Sequence, residues 1–453
     1  SYIMRQYIVI QGPIATRSGY GDHTRDLVHS LIAMDKYDID IISLPWGSCP
    51  MDALNIQNEK DKLIIDRIVN GNINRQPDIF MQVSVPNEFC IGHDGKPMKP
   101  GKFNIGITAG IETTQVPASF IEGCNRMDLI ITTSEHSKAG LTATSYDKIN
   151  NQTQQKEGEL KCTTPVEVLF EGLDLDTYFK TDKLDGTVIK ELSQIKEKFC
   201  YLFVGHWIKG NIGADRKDVG MMIKTFCETF KNVSKRNKPA LILKTSGAGF
   251  SIIDRDAILK KIKAITDPYG DASLNVYLLH GDLTDNEMNS LYNHPKIKAM
   301  VSFTKGEGFG RPLLEFGITG KPIMASSWSG QLDFLHPEHC ILLPGDLTKV
   351  DKSAADHFIL QEAEWFTVNY QYASNMIKDT EKHYKKYLEN SRKQPKYIKD
   401  NFTMKHMTDK FMEIIDANVT VPQAVKLNLP KLKKVGSTNV GQIKLPKLKK
   451  VEI

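Results

Sequence analysis

Apolar residues in this chain come in short runs, most of them followed by glycine or polar turn residues and then by an amphipathic stretch. Residues 7–11 (Tyr-Ile-Val-Ile-Gln) are the first run and predict a buried strand. The loop Gly12-Pro13-Ile14-Ala15-Thr16-Arg17-Ser18-Gly19-Tyr20-Gly21 interrupts the pattern. A helix is predicted over about 22–34, with Leu27, Val28, Leu31 and Ile32 as its apolar face, and a strand over 39–43 follows. Strand, Gly-rich loop, helix and strand make a βαβ unit, and such a unit predicts a parallel α/β sheet. A dinucleotide fold has the same outline, but G-x-G-x-x-G is absent and Gly19-Tyr20-Gly21 alone is a weak signal.

The pattern repeats along the chain. Further strands are predicted at 78–85, 102–108 and 128–134, with a helix at 120–126 and a polar, exposed excursion at 150–161. In the second half, strands are predicted at 200–204, 240–246 and 297–303, with helices at 219–230, 284–292 and 313–318. Residues 362–393 read as one long charged helix and 401–415 as a closing helix.

At 453 residues the chain has room for two or three domains. Hydrophobic content of 40% and charged content of 25% are those of a soluble globular protein. No apolar stretch approaches the roughly 18 residues of a membrane helix. Ser1-Tyr2-Ile3-Met4-Arg5 has neither the basic region nor the cleavage site of a signal peptide, and Ser1 ahead of Met4 reads as a cloning remnant. Seven cysteines are scattered without a CxxC pair, which points to a reducing, cytoplasmic compartment and away from structural zinc. The net charge of +5 is unevenly placed: residues 423–453 carry eight lysines and one acid, leaving −2 for the rest.

The stretch richest in chemistry is Lys305-Gly306-Glu307-Gly308-Phe309-Gly310-Arg311-Pro312-Leu313-Leu314-Glu315. A Gly-rich turn from strand to helix offers backbone N–H groups and the positive end of a helix dipole to an anion. Glu307 at the loop and Glu315 at the helix add acceptors for sugar and ribose hydroxyls, so the combination fits a sugar nucleotide better than a bare phosphate.

Two glutamates separated by seven residues, with Gly-Phe-Gly-x-Pro-Leu-Leu between them, resemble the signature of retaining GT-B glycosyltransferases of the large family-4 type. Gly320-Lys321-Pro322-Ile323-Met324-Ala325-Ser326 resembles that family's next element. The resemblance covers 198–345 well and the first half loosely. It implies two Rossmann-like α/β domains facing a cleft: an acceptor domain over 1–195, a donor domain over 196–395, a closing helix over 396–420 and a Lys-rich tail over 421–453.

By the same resemblance, Glu307 and the backbone of Gly308, Phe309, Gly310 and Arg311 hold the donor sugar, and Glu315 holds the ribose. Gly19 and Gly21 approach the diphosphate. Lys217, with Arg216 beside it, matches a family lysine that grips the diphosphate, and His206, Lys209 or Lys244 stands for the second phosphate contact. Cations there neutralise the leaving group, the main electrostatic demand of the reaction. Glu112, just after a strand, lies where related enzymes place a residue facing the acceptor. An acid there can activate a hydroxyl, and a solvated loop glutamate is the alternative. His93 reads more simply as a surface turn residue and His23, beside the Gly loop, as a residue without a ligand role, with acceptor contact the alternative for both.

The implied co-substrate is a nucleotide sugar, with UDP-sugar favoured, no cofactor and no metal. Asp174-x-Asp176 and Asp254-x-Asp256 match a DxD motif only formally. Leu-Pro-Lys-Leu-Lys-Lys-Val occurs at 429–435 and again at 445–451, and such lysine clusters attract polyanions. The tail has no aromatic residue for base stacking, so DNA contact through it would be phosphate-directed. Segments around 86–89, 104–110 and 125–129 resemble glycosyltransferases carried by large tailed phages, which implies a DNA-modifying enzyme acting on hydroxymethylcytosine in the host cytoplasm. A protein or glycan acceptor, and a non-catalytic sugar-nucleotide-binding scaffold, remain the alternatives.

Overall fold

The computed structural model describes residues 5–247 and 249–420, and the lysine repeats of the tail lie outside the described residues. The first half runs β1 (Gln6–Gly12), α1 (Gly19–Met34), β2 (Tyr37–Ser43), α2 (Glu59–Ile65), β3 (Ile79–Val83), β4 (Phe103–Thr108), α3 (Ala118–Asn125), β5 (Leu129–Thr132), α4 (Glu135–Ala143), β6 (Ser145–Ile149), β7 (Lys156–Lys161) and β8 (Val166–Val168). Its sheet has the order β2-β1-β3-β4-β5-β8, all neighbours parallel. Ile8, Val9 and Ile10 of β1 have no exposed surface. Helices on both faces of a parallel sheet explain such unbroken apolar strands.

The helix expected from about residue 22 begins at Gly19, because the Ser18 hydroxyl accepts from the Gly21 N–H at 2.9 Å and caps it. The polar excursion at 150–161 is mostly ordered: β6 and β7 pair as an exposed antiparallel hairpin.

The second half runs α5 (Gly186–Ser193), β9 (Cys200–His206), α6 (Val219–Phe230), β10 (Ala240–Ser246), α7 (Ile252–Thr266), β11 (Val276–Leu279), α8 (Asp285–Asn293), β12 (Ile297–Ser302), α9 (Arg311–Gly317), β13 (Ile323–Ser326) and β14 (Ile341–Leu343). The second sheet has the order β11-β10-β9-β12-β13-β14 and is again parallel. After it come β15 (Gly345–Lys349), β16 (Glu364–Val368), α10 (Tyr370–Lys382), α11 (Tyr384–Ser391), α12 (Gln394–Asn401) and α13 (Met404–Asn418).

The single helix expected over 362–393 is corrected here. Its first part is β16, antiparallel to β15, with Trp365, Phe366 and Val368 buried. An aromatic and β-branched run suits a half-buried strand better than a helix, and only from Asn369, which caps α10, does helix begin. The closing helix α13 returns to α1, where the Thr408 hydroxyl bonds Ser30 at 3.1 Å and Lys36 pairs with Asp416 at 3.1 Å.

Candidate active site

In open parallel sheets, ligand sites gather beyond the carboxyl ends of the strands. The loop after β4 (109–114) and the loop after β12 (303–310) meet there, one from each sheet. The approach is close enough to demand glycine. A Cβ on Gly306 would lie 1.8 Å from the Glu112 carbonyl oxygen, and one on Gly308 would lie 2.6 Å from the Gly110 nitrogen. From the first half, the Thr133 and Ser137 hydroxyls donate to the Gly308 carbonyl at 3.2 and 3.4 Å. Gly310 caps α9 with φ +97°, a conformation that disfavours any side chain.

Glu307 is buried and held by two cations. Lys217 Nζ pairs with its Oε1, and Arg216 Nη1 lies 3.2 Å from its Oε2 and donates to the Gly306 carbonyl at 3.0 Å. Burial works against the charge, but Lys217 and Arg216 outweigh it and hold the carboxyl down at about 2. Both cations come from the turn before α6, which is tied to the signature loop where the Lys305 N–H donates to the Arg216 carbonyl at 2.7 Å. The next residue, Asp218, has φ +52°, no exposed surface, and pairs with buried Lys305 at 3.6 Å.

Glu112 faces the same cluster from the first half, 4.0 Å from Arg216 Nε. Burial pushes its carboxyl up to about 7, against the pull of Arg216. Two carboxylates in one cluster are thus pushed apart in acidity. Glu315 lies in α9, accepts from the Tyr292 hydroxyl at 2.8 Å, and is also raised to about 7 by burial, with Arg311 opposing.

The other expected site residues are less uniform. Arg311 is an ionic clamp between the two halves, 2.8 Å from Asp26, 3.8 Å from Glu171 and 3.6 Å from Glu315. The Phe309 ring is buried in the core against Phe334, so only its backbone can serve a ligand. A Cβ on Gly19 would meet open space, whereas one on Gly21 would lie 2.2 Å from the Thr16 carbonyl oxygen, so Gly21 serves the packing of loop on helix. Lys244 donates to the Gly281 carbonyl at 2.8 Å, and exposed His206 pairs with Ser246 at 3.2 Å. Lys209 is engaged by the Ala355 carbonyl at 2.6 Å. His93 is exposed in its turn, and His23 is buried 3.5 Å from Glu171.

Both DxD matches serve local structure. Asp174 accepts from the Asp176 N–H and the Thr177 hydroxyl, and Asp254 accepts from the Gly247 N–H and pairs with His280 at 2.6 Å. Among the described residues, no group of three or more His, Cys, Asp or Glu is placed to hold a metal ion. Among them also, no helix is long and apolar enough to cross a membrane.

Three features of the site carry no sequence signal of their own. Tyr292 reaches Glu315, the 329–330 dipeptide grips Glu307, and His136 lies edge-on to Trp328, 4.5 Å between ring centres. Burial lowers His136 to about 4 and keeps it neutral.

Neither a protein-family model nor a curated protein matches the chain. Solved structures do. HepE of Anabaena, crystallised with UDP and glucose, matches 91% of this chain and 100% of its own at TM-score 0.56 and 11% identity. Sucrose-phosphate synthase of Thermosynechococcus elongatus matches 91% of this chain and 99% of its own at TM-score 0.58 and 12% identity. A glycosyltransferase of Rickettsia africae matches 92% and 99% at TM-score 0.54 and 13% identity. At such identities the likeness is one of fold, and the chain has the GT-B glycosyltransferase fold with its two parallel-sheet Rossmann-like domains.

Proposed function

We propose that the chain is a retaining glycosyltransferase that moves a sugar from a nucleotide-sugar donor to an acceptor hydroxyl. The observation that carries the reading is Glu307, buried between Lys217 and Arg216 where the two halves meet. A carboxylate kept charged at about 2 can accept from donor-sugar hydroxyls. The adjacent cations can neutralise a diphosphate as its bond to the anomeric carbon breaks. Glu315 in the first turns of α9 is the ribose acceptor, Gly19 provides open backbone for the phosphates, and Lys244 stands near the second phosphate. A UDP-sugar is the favoured donor, in line with HepE, which was crystallised with UDP-glucose. With the diphosphate charge met by Arg216 and Lys217, turnover is expected to persist in a chelator.

In the reaction, the acceptor oxygen bonds to the anomeric carbon, the bond from that carbon to the diphosphate oxygen breaks, and the acceptor proton is lost. Glu112, with its pKa near neutrality, is placed to receive or orient that proton. For the acceptor, the lysine clusters of the tail and the phage-type resemblance favour hydroxymethylcytosine in duplex DNA.

The test is a panel of nucleotide sugars with and without hydroxymethylcytosine duplex. Labelled DNA, lost in Glu307→Ala, supports both donor and acceptor readings. Donor turnover without DNA labelling keeps the transferase and removes the DNA acceptor in favour of a protein or glycan. No turnover with any donor leaves a sugar-nucleotide-binding scaffold.

A further inference from the structure

One residue beside the signature loop is held in a backbone conformation that its type disfavours. Ser329 has φ +86° and ψ −160°, a region occupied almost only by glycine, and strain of this kind persists where the surroundings over-determine it. The residue is 5% exposed. The hydroxyl accepts from the Glu307 N–H at 2.9 Å and donates to Gln331 Oε1 at 2.8 Å. Gln331 is itself fixed, donating from its amide to the Ser326 and Trp328 carbonyls at 2.9 and 2.6 Å. The next residue completes the grip, since the Gly330 N–H donates to the Glu307 carbonyl at 3.0 Å. A Cβ on Gly330 would lie 2.3 Å from the Gly308 carbonyl oxygen. The dipeptide 329–330 therefore holds both backbone polar groups of Glu307, and the unusual φ of Ser329 turns its hydroxyl and the following N–H toward the same residue.

We infer that Ser329 is a positioning residue for the reaction: its hydroxyl fixes the main chain of Glu307, and through it the direction of the carboxylate that holds the donor sugar. This rests on the donor role proposed for Glu307. Glycine at 329 would relax the backbone at once, so a serine there is explained by what its hydroxyl does. Lys217 and Arg216 anchor the carboxylate oxygens, whereas Ser329 and Gly330 hold the main chain. Without the hydroxyl, the peptide that carries it can shift, and displacements near 1 Å in such sites cost about 100-fold in rate.

The experiment compares full-length wild type with Ser329→Gly and Ser329→Ala. Both variants lose the hydroxyl, but only glycine relieves the strain. Expected is a similar fall in kcat for donor turnover, roughly 10- to 100-fold in each. Affinity for UDP alone should stay within about 2-fold, and the melting temperature should be higher for the glycine variant than for the alanine one. Faster amide exchange over 304–310 in both variants accompanies the loss. Wild-type kcat in both variants of an active enzyme overturns the positioning role alone. Activity that follows the melting temperature, with glycine restoring what alanine loses, overturns it too. A wild type that turns over no nucleotide sugar overturns the donor reading and this inference with it.

Discussion

The two loops that meet between the sheets each present one carboxylate, Glu307 buried and Glu112 half-buried, and the two behave differently. Glu307, on the loop after β12, is gripped by Lys217 and Arg216 and held at about 2. Glu112, on the loop after β4, has Arg216 at 4.0 Å, is opposed by the negative charge of Glu307, and sits at about 7. Desolvation raises both, and the outcome is decided by the close pairing of Glu307 with its two cations and by the repulsion that Glu112 feels from Glu307. One wall of the cleft thus carries a permanent anion suited to binding hydroxyls, and the other a group that can exchange a proton near neutrality. That division fits the donor and acceptor sides of the transferase proposed above.

The largest effect is expected from removing the cation that pairs with Glu307 and not with Glu112. Lys217→Ala should lower donor turnover by about 10²- to 10³-fold, measured as nucleotide release, because it removes a charge from the leaving-group side. It should also raise the Glu307 pKa, visible as a new acidic limb in the pH–rate profile. Next is the contact between the walls. Gly306→Ala places a methyl group where 1.8 Å is available, so the loops must part; turnover should drop roughly 100-fold while UDP affinity changes little.

Glu112→Gln sharpens the comparison through pH. In wild type, kcat/KM should rise with pH through about 7 as Glu112 loses its proton. The variant should lose that limb and fall by about 10²-fold. Stability moves in the opposite direction. A carboxyl whose folded pKa is raised from 4.5 to about 7 favours the folded state below 4.5, and this contribution is lost as pH rises through 7. Wild type should therefore melt lower at pH 8 than at pH 5, with a smaller difference in Glu112→Gln. The mildest effect on chemistry is expected from Arg311→Met, which leaves Asp26, Glu171 and Glu315 without their shared cation. Thermal melting should show a loss of about 1–3 kcal/mol, with turnover by the folded fraction less affected than in the other variants.

Much of the scaffold was legible because parallel strands covered on both faces leave uninterrupted apolar runs, such as Ile8 to Ile10, bounded by turn residues. The signature loop was legible because Gly306, Gly308 and Gly310 answer to backbone demands that only glycine meets. Where charge density was the only cue, it misled. Residues 362–393 look helical by composition, yet Trp365, Phe366 and Val368 bury themselves in β16. Arg311 shows the limit of motif reading. Its place in the signature suggests a ligand contact, while its partners Asp26 and Glu171 come from distant segments that only the fold brings near. Ser329 and Tyr292 carry no local signal for the same reason, since a hydroxyl that bonds a residue 22 or 23 positions away leaves no pattern in the sequence.

The most direct test of the central claim compares Glu307→Gln with wild type in two measurements on the same protein: UDP binding by calorimetry, and turnover of UDP-glucose and related donors. Glutamine keeps the size of the side chain and removes the charge paired with Lys217 and Arg216. UDP affinity within a few-fold of wild type, together with turnover reduced about 10²-fold or more, is the predicted result. Undiminished turnover in Glu307→Gln would contradict the assignment of Glu307 as the carboxylate that holds the transferred sugar.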